Sequence, residues 1–261
     1  MQGDIVDIQL LVQAAKKAGK EILKYYRKID NKDVEVKCDK SPVTAADYAA
    51  DRMIDKSLQE AYPNIPRLSE ESDADIFKQR LQWSTYFLID PLDGTKEFIR
   101  GSEEFTVNIA LIDKNESVMG VIYQPVTDTL YYGDLRESYK EFKGEKVRLP
   151  CEAYILGKVR VVSSKSHKNQ ETENYISNLR TKFEVEALCF GSSLKICKVA
   201  EGVADINPRL GGTSEWDIAA GHAILRGARG DIVLLGGKKR VRYNKEDLIN
   251  PFYEAKRAEL L

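Results

Sequence analysis

Residues 88–95 read Leu-Ile-Asp-Pro-Leu-Asp-Gly-Thr, two carboxylates three positions apart at the end of an apolar run. The preceding TYFLID (85–90) has the content of a buried strand, so Asp90 and Asp93 flank a turn at its end. Two anions so close repel each other in water, and a divalent cation between them would remove that cost. Mg²⁺ takes hard oxygen ligands at about 2.0–2.1 Å from a few carboxylates, water and substrate phosphate. Pro91 stiffens the turn. Gly94 lets the backbone approach an anion closely. Thr95 and Lys96 open a short helix, KEFIR, whose first amides suit phosphate oxygens. The competing reading is a capped turn with Asp93 as its N-cap. Phosphatases with an aspartyl nucleophile use D-x-D-G-T instead. In an extended chain the extra residue here turns one Asp to the opposite face, which speaks against a covalent aspartyl-phosphate route.

On either side of this stretch the hydrophobic pattern changes period. Upstream, 5–28 carries Ile5, Ile8, Leu11, Val12, Ala15, Ile22 and Tyr26 at helical spacing. A second helix follows in SPVTAADYAADRMIDKSLQEAYP, with Thr44 as N-cap and Pro63 past its end. NIPRLSEES reads as a short strand entering a polar loop, and DADIFKQRLQW as a short helix. Downstream, FTVNIALI, SVMGVIYQP and TDTLYYGDL predict an antiparallel meander. KEFKGEKVRLPCEAYILGK (140–158) reads as polar and irregular, and a lobe boundary is placed near residue 150. Beyond it, VRVVSS, FEVEALCF, ADINPR and DIVLLG read as strands alternating with helices in NQETENYISNLR, SSLKICKVAEG and EWDIAAGHAILRGA. That alternation predicts an α/β lobe over 151–261, after an α+β lobe with an antiparallel sheet over 1–150.

Composition narrows the function classes. The 261 residues carry 43% apolar and 31% charged side chains with a net charge of −1, so no basic excess points to a nucleic-acid polymer. No window approaches the 18 or so uninterrupted apolar residues of a membrane span, and MQGDIVDIQL lacks the layout of a signal peptide. Cys38, Cys151, Cys189 and Cys197 form no CxxC pair, as expected of reduced thiols in a cytoplasmic protein. With only His167 and His222 available, any metal is expected to be held by oxygen.

Further acids lie elsewhere: Glu70 and Glu71 in LSEES, and Asp217 in the first turn of EWDIAAGHAIL. Singly each has a plain structural reading, a solvated loop or a residue favoured by the helix dipole. With Asp90 and Asp93 they supply carboxylates from three segments. KCDKSPVTAAD adds Lys40, Thr44 and Asp47, where T-x-x-D is first of all a capping box.

As a set, PVTAAD, LSEES, DPLDGT and EWDIAAGHAI resemble the lithium-sensitive, Mg²⁺-dependent phosphomonoesterases related to inositol monophosphatase, over nearly the whole chain. The resemblance implies a layered αβαβα sandwich, of mixed α+β and α/β character, and hydrolysis by direct attack of a metal-activated water. It implies one Mg²⁺ on Glu70, Asp90 and the Leu92 carbonyl, a second on Asp90, Asp93 and Asp217, and a third, weaker ion on Glu70. Thr95, paired with Asp47, would orient and help deprotonate the water, and the amides of Gly94 and Thr95 would cradle the phosphate. Paired cations about 3.5–4 Å apart can both activate a nucleophile and stabilise a leaving oxygen. Within the family, DPLDGTKEFI, KCDKSPVTAAD and GSSLKICKVAEGVADINPR are most similar to the 3′(2′),5′-bisphosphate nucleotidases. That branch implies substrate contacts from Ser192, Lys195, Arg209 and His167, Li⁺ inhibition, and a phosphorylated nucleotide as substrate for a monomer or homodimer. An inositol or sugar phosphatase is the nearest alternative. The Glu that contacts inositol hydroxyls seven residues before the last metal Asp is Leu210 here. A silent metal- and nucleotide-binding sensor is the alternative from another class, and it would lack one of the acids or the Thr.

Overall fold

A computed structural model describes residues 6–28, 34–36, 42–164 and 169–261. Its elements run α1 (Ile8–Leu23), β1 (Val34–Val36), β2 (Pro42–Thr44), α2 (Ala45–Ala61), β3 (Arg67–Ser69), α3 (Ala74–Gln79), β4 (Thr85–Asp93), α4 (Thr95–Ile99), β5 (Thr106–Asp113), β6 (Glu116–Gln124), β7 (Thr129–Asp134), β8 (Ser138–Phe142) and β9 (Glu145–Arg148). They continue with β10 (Lys158–Ser164), α5 (Gln170–Leu179), β11 (Glu184–Phe190), α6 (Leu194–Glu201), β12 (Ile206–Arg209), α7 (Glu215–Gly227), β13 (Asp231–Leu234) and β14 (Tyr253–Lys256).

Two sheets organise the chain, one of seven strands in the order β3 to β9 and one of five in the order β11-β10-β12-β14-β13. Strand alternation explains the layers. In β4 and β5, Phe87, Ile89, Val107, Ile109 and Leu111 pack under α1 and α2, while Tyr86, Leu88, Ala110 and Ile112 face α7. Helices α6 and α7 lie between the two sheets, joining residues from both into one core. Val159, Val161 and Ile206 turn to the far face of the second sheet and meet Ile176 of α5. The result is the expected αβαβα order. Small residues allow α7 to approach closely: a Cβ on Gly120 would stand 2.1 Å from the Ala220 carbonyl oxygen.

Three local expectations are corrected. Helix α1 ends at Leu23, with turns rather than helix over 24–28. The segment expected to be irregular contains the β8–β9 hairpin, paired Phe142↔Glu145 across Lys143-Gly144. Both loop residues have positive φ (52° and 81°), as a two-residue hairpin turn requires. These strands are polar on both faces and lie at the sheet edge, so no alternation marks them. Strand β14, unanticipated, inserts antiparallel between β12 and β13.

Candidate active site

The register of β4 against β5 decides where the two aspartates point. Asp90 pairs with Asn108 and Asp93 with Thr106, so three steps on β4 match two on β5. This bulge absorbs the extra residue. Asp90 follows Tyr86 and Leu88 on the α7 side, Leu92 turns into the core under α1 and α2, and Asp93 returns to the cleft. The expectation of opposite faces therefore fails, because it assumed an unbroken strand. Asp93 is not an N-cap either: Gly94 takes that position at φ 91°, a left-handed conformation that suits glycine.

The other acids arrive from three more elements. Parallel pairing of Ser69 with Ile89 sets Glu70 beside Asp90, and its N–H donates to the Ile89 carbonyl at 3.1 Å. Asp217, at the third position of α7, accepts from the Ser214 N–H at 2.8 Å in a capping box. Carboxylate oxygens of Asp90, Asp93 and Asp217 lie within 4.8 Å of one another. Glu70 lines the same cavity of about 260 Å³ without joining that group of three. Asp47 closes the capping box of α2 with Thr44, whose N–H and Oγ donate to Oδ2 at 2.8 and 2.6 Å. Its Oδ1 accepts from the Thr95 hydroxyl at 3.1 Å; that hydroxyl also lies 3.2 Å from the Leu92 carbonyl oxygen. The capping and catalytic readings of Asp47 are thus compatible, one oxygen serving each.

On the opposite wall, Asp93 Oδ2 accepts from Ser192 Oγ at 2.6 Å and from the Ser193 N–H at 2.5 Å. Ser192 has φ 52°, a strained value for a non-glycine residue, and this places its side chain on Asp93. The Lys195 ammonium donates to the Ser192 carbonyl. Arg209 donates to the Gly212 carbonyl at 2.9 Å, while its buried Nε has no partner among the described residues. His167, Lys40 and Cys38 lie outside the described residues. Ser193, Asn108 and Thr106 were not singled out in the sequence, yet they form a buried network behind Asp93. The available signal was Asn108, a polar residue within the apolar FTVNIALI.

Electrostatics set the acids of the cleft against one another. Burial, and then the charges of Glu70, Asp93, Asp217 and Asp47, push the Asp90 carboxyl well above its usual range. Burial and Asp93 push Asp217 up to about 8. Burial also raises Asp47, only partly offset by hydrogen bonds from Thr44 and Thr95. Mutual repulsion among all-oxygen donors is what a hard divalent cation relieves, so the residues present fit Mg²⁺. The Lys195 ammonium is lowered, first by burial, with Asp93 opposing.

A five-layer αβαβα fold with a carboxylate-lined cleft at the ends of β3 and β4 defines a phosphatase: the chain belongs to the inositol monophosphatase family, whose model matches residues 6–260. Among its relatives, it is 42% identical over 244 residues to the 3′(2′),5′-bisphosphate nucleotidase CysQ of Salmonella typhimurium, covering 94% of this chain and 97% of that protein. The enzyme of the same name from Escherichia coli K12 is 42% identical over 239 residues, covering 92% and 95%. The crystal structure of CysQ from Bacteroides thetaiotaomicron, a bacterial member of the family, superposes with a TM-score of 0.84 at 42% identity over 96% of each chain. No helix among the described residues is long and apolar enough to cross a membrane.

Proposed function

We propose that this protein is a Mg²⁺-dependent phosphomonoesterase that removes the 3′-phosphate of adenosine 3′,5′-bisphosphate to give AMP and phosphate. The observation that carries the reading is the gathering of Asp90, Asp93 and Asp217 within 4.8 Å beside the Thr95–Asp47 pair, in a chain 42% identical to bisphosphate nucleotidases.

Glu70, Asp90, the Leu92 carbonyl, Asp93 and Asp217 would hold the cations. When bound, Mg²⁺ supplies positive charge that lowers the pKa of water and neutralises the phosphate. The remaining chemistry belongs to the chain. The Thr95 hydroxyl donates to Asp47, so its lone pairs are available to receive a proton from the attacking water while its own proton passes to Asp47. The raised pKa of Asp47 makes it a stronger base than an exposed carboxylate. The amides of Gly94 and Thr95 would cradle the phosphate. Ser192 and the Ser193 N–H hold Asp93 in its rotamer.

Lys195 and Arg209 support a second anionic group on the substrate. They line both the carboxylate cavity and a neighbouring cavity of about 400 Å³, which includes Glu173 but none of the acids proposed to hold metal. A bisphosphate carries a second dianion there, and a guanidinium with an unused Nε–H suits it. His167 completes the proposed contacts.

Phosphate release measured across adenosine 3′,5′-bisphosphate, its sulfated 5′ form, inositol 1-phosphate and fructose 1,6-bisphosphate tests the assignment. The adenosine bisphosphate is expected to have the highest kcat/KM. Much faster turnover of the inositol or sugar ester would overturn it. Millimolar Li⁺ is expected to inhibit, and an unchanged rate would count against the lithium-sensitive reading.

A further inference from the structure

Two cavities meet at the end of β12. One, of about 260 Å³, contains the carboxylates, and the other, of about 400 Å³, opens beside it toward α5 and the 210–212 loop. Asn207 lines both, and it is only 1% exposed. Its Nδ2 donates to the Val162 carbonyl at 2.8 Å. That bond fixes which way the amide faces, since turning it over would set two oxygens against each other. The Oδ1 has no hydrogen-bond partner among the described residues. Neither cationic neighbour donates to it: Lys195 bonds the Ser192 carbonyl and Arg209 that of Gly212. A buried acceptor without a donor is a standing cost to the fold. The residue lines both cavities, so a ligand spanning them would pass it.

We propose that Asn207 is a specificity-determining residue whose Oδ1 accepts a hydrogen bond from the sugar hydroxyl next to the scissile ester. The inference rests on the bisphosphonucleotide reading above and deepens it. With the reacting phosphate among the carboxylates and the remainder of the nucleotide reaching toward the larger cavity, the sugar ring crosses the waist that Asn207 lines. On a ribose 3′-phosphate, the free hydroxyl beside the ester is the 2′-OH, which can donate. A 2′-deoxy substrate has no such donor and leaves Oδ1 buried and unpaired. The site is therefore selective for ribonucleotides over deoxyribonucleotides, without any base contact.

The test compares kcat/KM for adenosine 3′,5′-bisphosphate and its 2′-deoxy counterpart in the native sequence and in Asn207→Ala. Because both substrates are assayed on one preparation, their ratio cancels any loss of folded enzyme, so a destabilised variant still reports. The native enzyme is expected to prefer the ribonucleotide by about 10- to 100-fold. Asn207→Ala should bring that preference to within about threefold of unity. An active enzyme without the preference, or with the same preference in Asn207→Ala, overturns this inference alone. A native enzyme that hydrolyses neither nucleotide but does hydrolyse another ester overturns the substrate reading, and this inference with it.

Discussion

Replacing Asp217 with Asn should stabilise the metal-free protein while removing its response to Mg²⁺. Burial and Asp93 raise the Asp217 carboxyl from 3.8 to about 8. An acid with a raised folded-state pKa binds more protons when folded, so its contribution is fully present below the unfolded value and is lost as pH rises toward the folded one. At 1.36 kcal/mol per pH unit, the gap corresponds to roughly 6 kcal/mol. Asp217 is partly exposed to the cleft and shares its protons with the neighbouring acids, which reduces its own share to on the order of 2–4 kcal/mol. Asn keeps an oxygen for the Ser214 N–H and so preserves the cap, losing only about 0.3–1 kcal/mol of favourable charge at the helix N-terminus. In a chelator, Asp217→Asn should therefore exceed the native sequence by about 2–3 kcal/mol at about pH 8. The advantage should fade as pH falls through about 4 and vanish at about pH 2–3, where the native carboxyl is neutral in both states. With saturating Mg²⁺ the order should reverse, because only the native cleft gains binding energy. Urea unfolding followed by circular dichroism, with and without metal, reads all of this. A variant less stable than the native protein in chelator at about pH 8, or a difference indifferent to pH, would refute the reasoning.

Thr95→Val removes the hydroxyl between the water and Asp47 at similar volume; kcat should fall by about 10²–10⁴ with KM little changed, read by steady-state phosphate release. Gly120→Ala sets a Cβ 2.1 Å from the Ala220 carbonyl, a contact that must open to at least 3.0 Å by displacing α7. The expected cost is about 3 kcal/mol, lowering Tm by about 6–12 °C in a thermal melt. Glu201 is buried, which pushes its carboxyl up, but Lys198, Lys140 and Tyr131 outweigh burial and hold it below 4.5. Its stabilisation is present above that pH and lost as pH falls through the folded value. Glu201→Gln should thus cost about 2 kcal/mol at neutral pH, a penalty that disappears in acid, by urea unfolding at two pH values.

The sequence by itself determined most elements and named the residues proposed to react. Periodicity located the helices, and a chain with two histidines pointed to oxygen ligands for any metal. The acids, Thr95 and Asp47 were legible because short motifs carry them at element ends, where local rules of capping and turns apply. Tertiary structure decided what depends on partners distant in sequence. The β4 bulge exists only as a register against β5, so DPLDGT alone could suggest a shared cation but not the backbone path that brings Asp90 and Asp93 to one face. The edge hairpin β8–β9 and the inserted β14 lack a one-sided apolar pattern, and pairing with neighbours defines them. Asn207 reads as an ordinary strand residue in ADINPR. Its unpaired oxygen has meaning only because β12 places it between two cavities whose walls come from both halves of the chain.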